Sequence, residues 1–207
     1  MGRVTDSIPD TLPPGYQPVM EFNLRKNPRA MLILNGIGFI LFLAAAALIQ
    51  IYGQLVRPQD SIGVSGSIDS FAEIFRFLSL LLLDVIVLVI LHEGVHGLCF
   101  WLITGKRPVF SIGPGYAAAA APQSLLAKKP YLITALSPLV VLTVLGLILI
   151  PVIPSGWLFY LGLFIVMNVS GAVGDLWVAL SLLPRKEPLL IQDFGDRVMV
   201  YQPKDIQ

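Results

Sequence analysis

Four long apolar stretches alternate with short polar segments along the chain. They cover residues at about 31–51, 77–103, 132–152 and 157–183. A helix needs about 20 apolar residues to cross the hydrocarbon core of a bilayer, and each stretch is long enough. Buried core helices of a soluble protein are also apolar, but four such stretches with so little charge between them favour membrane spans. The pattern predicts an all-α polytopic membrane protein with about four transmembrane helices.

The composition supports this class. Of the 207 residues, 56% are hydrophobic and 13% are charged, whereas an average soluble domain carries about 25% charged residues. A net charge of +1 gives no reason to expect a nucleic-acid partner. The single cysteine, Cys99, excludes an intrachain disulfide framework. We therefore expect the protein to be embedded in a lipid bilayer.

Two segments outside the spans are expected to be ordered. Residues 105–122 lie between the second and third spans and are rich in glycine, proline and alanine. Because Gly113, Pro114 and Gly115 interrupt their middle, they predict a short hairpin or re-entrant loop. In the tail, residues 193–196 suit a turn and residues 197–201 suit a short strand.

Positive charges orient the predicted bundle. They lie before the first span, between the second and third, and after the fourth, and they are Arg25, Lys26, Arg29, Lys106, Arg107, Lys128, Lys129, Arg185 and Lys186. Positively charged loops favour the cytoplasmic side, so both termini are expected there. The chain is expected to have a flexible cytoplasmic segment at 1–30, a four-helix membrane domain at 31–184 and a short cytoplasmic tail at 185–207.

The second span contains the motif His92-Glu93-Gly94-Val95-His96. Four residues turn a helix by about 400°, so both imidazoles can reach one ion. Ionisable side chains inside a span are costly and need partners, which an ion supplies. The pattern is typical of zinc sites in which the glutamate takes a proton from a metal-bound water. We therefore predict a zinc ion on His92 and His96, the only histidines in the chain, with Glu93 beside it as the general base.

A catalytic zinc usually has three protein ligands. Four residues are candidates for the third position: Asp175, Asp84, Cys99 and Glu93. His96 lies seven residues before the end of its span and Asp175 lies eight before the end of its own, so their depths agree. Asp84 precedes His92 by eight residues, about 12 Å along the helix. Cys99 is two turns from His92 and suits a small buried thiol. Asp175 is favoured.

The third and fourth spans contain polar, glycine and proline residues that are unusual in an apolar helix. Asn168 precedes Asp175 by seven residues and is predicted either to contact substrate, to steady a zinc ligand, or to make an interhelical hydrogen bond. Gly171 and Gly174 are expected to permit close approach of the helix that carries the motif. Ser137-Pro138 suggests a kink in the third span without a predicted chemical role.

Three segments resemble known metallopeptidases: LHEGVHG at 91–97, KPYLITALSP at 129–138 and NVSGAVGDL at 168–176. With the hairpin, they resemble the site-2 protease superfamily, and more closely a prokaryotic family described as putative zincin peptidases. A weaker similarity lies at 193–196. The chain departs from the site-2 protease pattern at Gly171, where that pattern has proline, and in the order Gly174-Asp175.

The resemblance implies a function and a location. His92, His96 and Asp175 would bind zinc, and Glu93 would be the general base. The protein would be a zinc-dependent intramembrane endopeptidase of a prokaryotic plasma membrane, acting on a membrane-embedded protein held extended by the hairpin. Two alternatives remain: a non-proteolytic membrane protein with a structural or regulatory zinc site, and a small transporter component that uses Asp84 and Asp175.

Overall fold

Five α-helices contain most of the residues that the structure describes. The computed structural model describes residues 11–23, 26–60, 62–63, 70–113 and 116–204. The helices are α1 (Pro28–Val56), α2 (Phe71–Thr104), α3 (Lys128–Leu149), α4 (Leu158–Gly171) and α5 (Val173–Leu182), with a short 3₁₀ turn at Ser155–Trp157. The predicted fourth span is thus divided at Ala172 into two helices.

Among the described residues, four helical segments are long and apolar enough to cross a membrane. They are α1, α2, α3 and the stretch Ser155–Leu182, which combines the 3₁₀ turn with α4 and α5. Only 6% of the most apolar 18-residue window of α2 is buried inside the protein. A helix that is apolar on its outward faces is typical of a segment surrounded by lipid. The described fold is consistent with an integral membrane protein.

Local polar contacts explain where α1 and α2 begin. The side-chain oxygen of Asn27 accepts a hydrogen bond from the N–H of Ala30 at 3.0 Å, directly before α1. Ser70 and Glu73 form a reciprocal capping box at the start of α2, with bonds of 3.3 and 3.1 Å. This cap starts α2 six residues before the predicted span. The helix ends at Thr104, and the next residue, Gly105, has a φ of 70° that suits glycine.

The structure also contains antiparallel strands, so the all-α prediction is incomplete. The strands are β1 (Tyr16–Phe22), β2 (Val109–Gly113), β3 (Tyr116–Ala120), β4 (Leu126–Ala127), β5 (Leu190–Asp193) and β6 (Val198–Pro203). One sheet has the order β1-β6-β5-β4, and β2 pairs with β3 in a second sheet. The predicted hairpin and the predicted strand in the tail are confirmed.

Strand β1 lies in the segment that we expected to be flexible. This strand was not predicted because it contains Pro18, and a proline inside an apolar run argues against a strand. The structure accommodates Pro18 in an edge strand, where the register against β6 shifts between Pro18 and Met20. The predictions made for residues 1–10, Arg25, Pro114 and Gly115 lie outside the described residues.

The chain divides into two compact units. The first unit comprises the described parts of Met1–Leu34, Glu93–Pro138 and Gly174–Gln207, and it contains both sheets. Its core packs strand residues against helix residues, including Phe22, Phe100, Leu126, Tyr131, Leu182, Ile191 and Val200. Burial of these side chains holds the strands onto the helix ends.

The second unit is helical and comprises the described parts of Asn35–His92 and Leu139–Val173. Its core contains Ala45, Ile49, Ile150, Leu158, Ile165 and Val166. The Arg57 guanidinium donates hydrogen bonds to the carbonyls of Ile150 and Ile153 and to the Ser155 hydroxyl. Carbonyls just beyond the end of α3 thereby gain a donor that the helix itself cannot provide.

Candidate metal centre

The histidine motif lies within uninterrupted helix α2, and Asp175 lies in the first turn of α5. His92, His96 and Asp175 each offer one ligand atom, and these atoms all lie within 4.8 Å of one another. The Nε2 atom of His96 lies 3.5 Å from Oδ2 of Asp175. The three residues therefore form a group that can hold a metal ion.

The ring of His96 is oriented by a backbone carbonyl. Its Nδ1 atom lies 3.0 Å from the carbonyl oxygen of Thr134 in α3. Because a carbonyl oxygen only accepts hydrogen bonds, Nδ1 must carry the proton and donate it. Nε2, the atom that faces Asp175, is then the nitrogen with which neutral His96 can bind a metal.

The ring of His92 is oriented by Asn168. His92 Nδ1 lies 3.1 Å from Oδ1 of Asn168. The amide nitrogen of Asn168 donates to the Thr143 hydroxyl at 3.1 Å and to the Leu139 carbonyl at 3.5 Å. These two acceptors fix the amide so that its oxygen faces the histidine, which assigns the proton to Nδ1 and leaves Nε2 for a metal. Two of the roles predicted for Asn168 are therefore observed: it contacts a proposed zinc ligand, and it makes interhelical hydrogen bonds.

The donor set fits zinc. Two imidazole Nε2 atoms and one carboxylate oxygen are common zinc ligands, and catalytic zinc sites have three protein ligands with one open position. Histidines that bind metals usually donate their other N–H to a carbonyl or carboxylate oxygen. His96 shows that contact with a backbone carbonyl, and Asn168 gives His92 an amide oxygen. The carboxylate of Asp175 lies in the first turn of α5.

Glu93 is not one of the three grouped residues in the part of the chain that the structure describes. Its Oε2 atom accepts a hydrogen bond of 2.7 Å from the backbone N–H of Ala119 in β3. The carboxylate is half-buried and follows His92 directly in the helix. Strand β3 thus holds Glu93 beside the proposed ligands, and of the four candidates for the third ligand only Asp175 joins the histidines.

The hairpin β2–β3 packs against α2 beside the motif. A Cβ atom at Gly97 would lie 2.5 Å from Cζ of Phe110, so the glycine permits β2 to approach the helix. The turn between β5 and β6 packs on the hairpin as well, because a Cβ atom at Gly195 would lie 3.2 Å from Cβ of Ala118. Gly195 has a φ of 87°, which also requires glycine.

The remaining candidates lie outside the group. One carboxylate oxygen of Asp84 is buried without a hydrogen-bond partner among the described residues. The thiol of Cys99 donates to the Ser137 hydroxyl at 3.2 Å. The expectation for Gly171 and Gly174 is wrong, since a Cβ atom at either position would have no atom of another described element within 4 Å.

The groups that orient the proposed ligands were not predicted from the sequence. The Thr134 carbonyl and the Ala119 N–H are backbone groups, so the identity of their residues carries no signal. Thr143 is a single hydroxyl in an apolar run and resembles any polar residue of a span. Polar side chains in spans are commonly hydrogen-bonded between helices, which is the one signal that could have pointed to Thr143.

A buried carboxyl lies near the group, at the end of β5. Asp193 accepts hydrogen bonds from the Tyr131 hydroxyl at 2.9 Å and from the N–H of Gly195 at 2.8 Å. Burial raises the pKa of Asp193 to about 6, while these hydrogen bonds and the nearby His96 oppose the rise and Asp175 adds to it.

The titration of Asp193 is expected to be visible in the pH dependence of the protein's stability. Because the folded pKa is about 6 and the ordinary value is 3.8, folded Asp193 keeps a proton that the unfolded chain releases between about pH 4 and 6. Its contribution therefore favours folding below pH 4 and is lost as the pH rises, by about 3 kcal/mol in total. The measurement is the thermal unfolding midpoint from pH 4 to 8 for the parent and Asp193→Asn.

Asp193→Asn should remove this decline relative to the parent. Tyr131→Phe offers a matched test, because it deletes one hydrogen bond that favours the ionised carboxylate and should extend the decline to higher pH. Identical profiles for the parent and Asp193→Asn would contradict the assignment.

The fold and the group together define a mainly helical metalloprotein with four apolar candidate spans and a His-Glu-x-x-His helix. A family model described as "Putative zincin peptidase" matches residues 85–188, just over half of the chain. The chain belongs to this family, which implies zinc as the cofactor. The match includes the motif, Thr134, Asn168 and Asp175. No curated protein and no solved structure matches the chain. The resemblance to site-2 proteases stays a prediction.

Proposed function

We propose that the protein is a zinc-dependent intramembrane endopeptidase. The observation that carries the proposal is the grouping of His92, His96 and Asp175 with Glu93 adjacent to them in α2. Membership of a zincin peptidase family supports peptide-bond hydrolysis as the reaction.

Each residue has a role in the proposed reaction. His92, His96 and Asp175 would hold the zinc ion, which when bound acidifies a water molecule and polarises the substrate carbonyl. Glu93 would accept the proton of the attacking water and pass it to the leaving amine, as a general base and then a general acid. The Ala119 N–H would hold the carboxylate in place for both transfers.

The proposed substrate is a membrane-embedded protein. Support comes from the apolar outward faces of α2, which carries the motif within a segment long enough to cross a bilayer. A peptide bond in a membrane helix is already hydrogen-bonded, so the substrate must unwind before cleavage, and the edge of a hairpin provides main-chain partners for an extended segment. With both termini in the cytoplasm of a prokaryote, cleavage would occur in the cytoplasmic half of the plasma membrane.

Removal of the metal tests the proposal. The protein would be purified with zinc and reconstituted in liposomes with a panel of single-span reporter proteins that carry a fluorescent cytoplasmic tag. We expect 1,10-phenanthroline to abolish release of the tag and added zinc, but not magnesium, to restore it. Mass spectrometry should locate the cut inside the span. Cleavage that persists in protein shown to be free of zinc would contradict the proposal.

A second candidate is a structural zinc site without proteolysis. It is favoured by the distribution of the group over two helices, since an ion bound to His96 and Asp175 would link α2 to α5. Under this alternative, zinc would raise the thermal unfolding midpoint, no reporter would be cut, and function in cells would survive Glu93→Gln.

A further inference from the structure

Pro138 lies inside α3 and leaves one carbonyl of that helix without its usual partner. In an α-helix the N–H of each residue donates to the carbonyl four residues earlier. Proline has no N–H, so the carbonyl of Thr134 cannot receive that bond. Thr134 is only 1% exposed, and a buried carbonyl without a donor is costly.

Two side chains donate to this carbonyl instead. His96 Nδ1 lies 3.0 Å from the Thr134 oxygen, and the Ser137 hydroxyl lies 2.8 Å from it. A carbonyl oxygen has two lone pairs, so these donors complete its capacity. The Ser137 hydroxyl is itself held from α2 by the thiol of Cys99, at 3.2 Å.

We propose that Pro138 is a positioning residue for His96. By withholding an N–H from α3, it reserves the Thr134 carbonyl for the imidazole and so fixes both the proton on Nδ1 and the direction of Nε2. The inference rests on the metal-binding role of His96 in the proposed function, and it does not require that the protein cleaves peptides.

Pro138→Ala supplies the missing donor and should disturb the metal site. The new N–H is directed at the Thr134 carbonyl, where three donors then compete for two lone pairs. His96 loses its fixed acceptor for part of the time, which allows the ring to rotate or to move its proton. Because loss of a partner that orients a metal ligand typically costs 10–100-fold in metal affinity, we expect a zinc affinity lower by about that factor.

The readouts are chosen to be independent of proteolysis. Zinc affinity is measured by competition with a chelating dye, and the visible absorption of the cobalt-substituted protein reports the geometry of its ligands. The ¹⁵N chemical shifts of His96 in the metal-free protein report which ring nitrogen carries the proton. Pro138→Ala should change all three, with the proton of His96 distributed over both nitrogens.

Two further variants separate the missing N–H from other effects of the substitution. Pro130→Ala makes the same change in the first turn of α3, where a helix leaves N–H groups unpaired, and should keep the parent's zinc affinity. Replacement of Pro138 by lactic acid gives an ester with the alanine side chain but no N–H, and it should restore the affinity and the cobalt spectrum.

The proposal is overturned if Pro138→Ala binds zinc as the parent does, or if the ester variant is as weak as Pro138→Ala. The second result would assign the effect to the proline ring and its kink. A wild-type protein that binds zinc but cuts no reporter would remove the proposed peptidase function and leave this inference intact.

Discussion

Glu93→Gln is expected to lower the rate of reporter cleavage by about 10²–10⁴-fold with zinc still bound, because general acid–base catalysis contributes about that factor. Glutamine has the shape of glutamate, and its amide oxygen can still accept the hydrogen bond from the Ala119 N–H. What it lacks is a basic oxygen that can take a proton from water. The measurement is the initial rate in liposomes together with the zinc content of the same preparation.

Glu73→Gln is a matched control for this substitution. It makes the same chemical change in the same helix, at a capping position where glutamine also functions. It should retain the cleavage rate and the zinc content of the parent. If Glu93→Gln cut the reporters as fast as the parent, Glu93 would not be the base. If it lost zinc as well, the carboxylate would belong to the metal ligands.

The long apolar helices were predictable because a bilayer places a simple requirement on the sequence of any helix that crosses it. A crossing helix needs a long apolar run, and such runs are present at α1, α2 and α3. The helices begin and end a few residues away from the ends of these runs, because local capping contacts set the helix boundaries. The division of the fourth span at Ala172 was not predicted, although Gly171 and Gly174 beside it weaken a helix. Hydropathy measures the cost of transfer to lipid and contains little information about a local break.

The strands were harder to predict than the helices. The hairpin β2–β3 was indicated by glycine and proline in its middle, which is a local signal. Strand β1 depends on pairing with β6, which is more than 170 residues away in the sequence. Pairing between distant segments has no local signature, and Pro18 argued against a strand. The sheet order was therefore outside the reach of pattern analysis.

For the candidate site, the sequence indicated the residues that carry chemistry and missed the groups that orient them. His92 and His96 stood out by spacing, and a comparison of depths selected Asp175. The partners of Glu93 and His96 are a backbone N–H and a backbone carbonyl. Such partners depend on where the chain runs, so substitution of the side chains at Ala119 or Thr134 need not remove them. Proline is an exception among side chains, because it removes the backbone N–H of its own residue. Pro138 can therefore affect a backbone hydrogen bond that other substitutions would leave unchanged.

Asp175→Ala is expected to lower zinc affinity by at least about 100-fold, since even partners that only orient a ligand typically contribute 10–100-fold. The substitution removes the one anionic ligand of the group, and the two histidines alone would leave the ion half-coordinated by water. Asp175→Asn keeps the size of the side chain but loses its charge, so it should fall between the parent and Asp175→Ala. Affinity is measured by competition with a chelating dye.

Asp84→Ala is the control that decides whether this loss is specific. It deletes another carboxylate of the helix that carries the motif, about 12 Å from His92, and it should keep the zinc affinity of the parent. Dependence of function on Asp84 with no dependence on the histidines would point instead to a transport role. Full zinc affinity in Asp175→Ala would mean that the ion is held without α5, and the three-ligand site would be wrong. Loss in Asp175→Ala with retention in Asp84→Ala would tie the ion to both α2 and α5, because His96 and Asp175 reach it from those two helices.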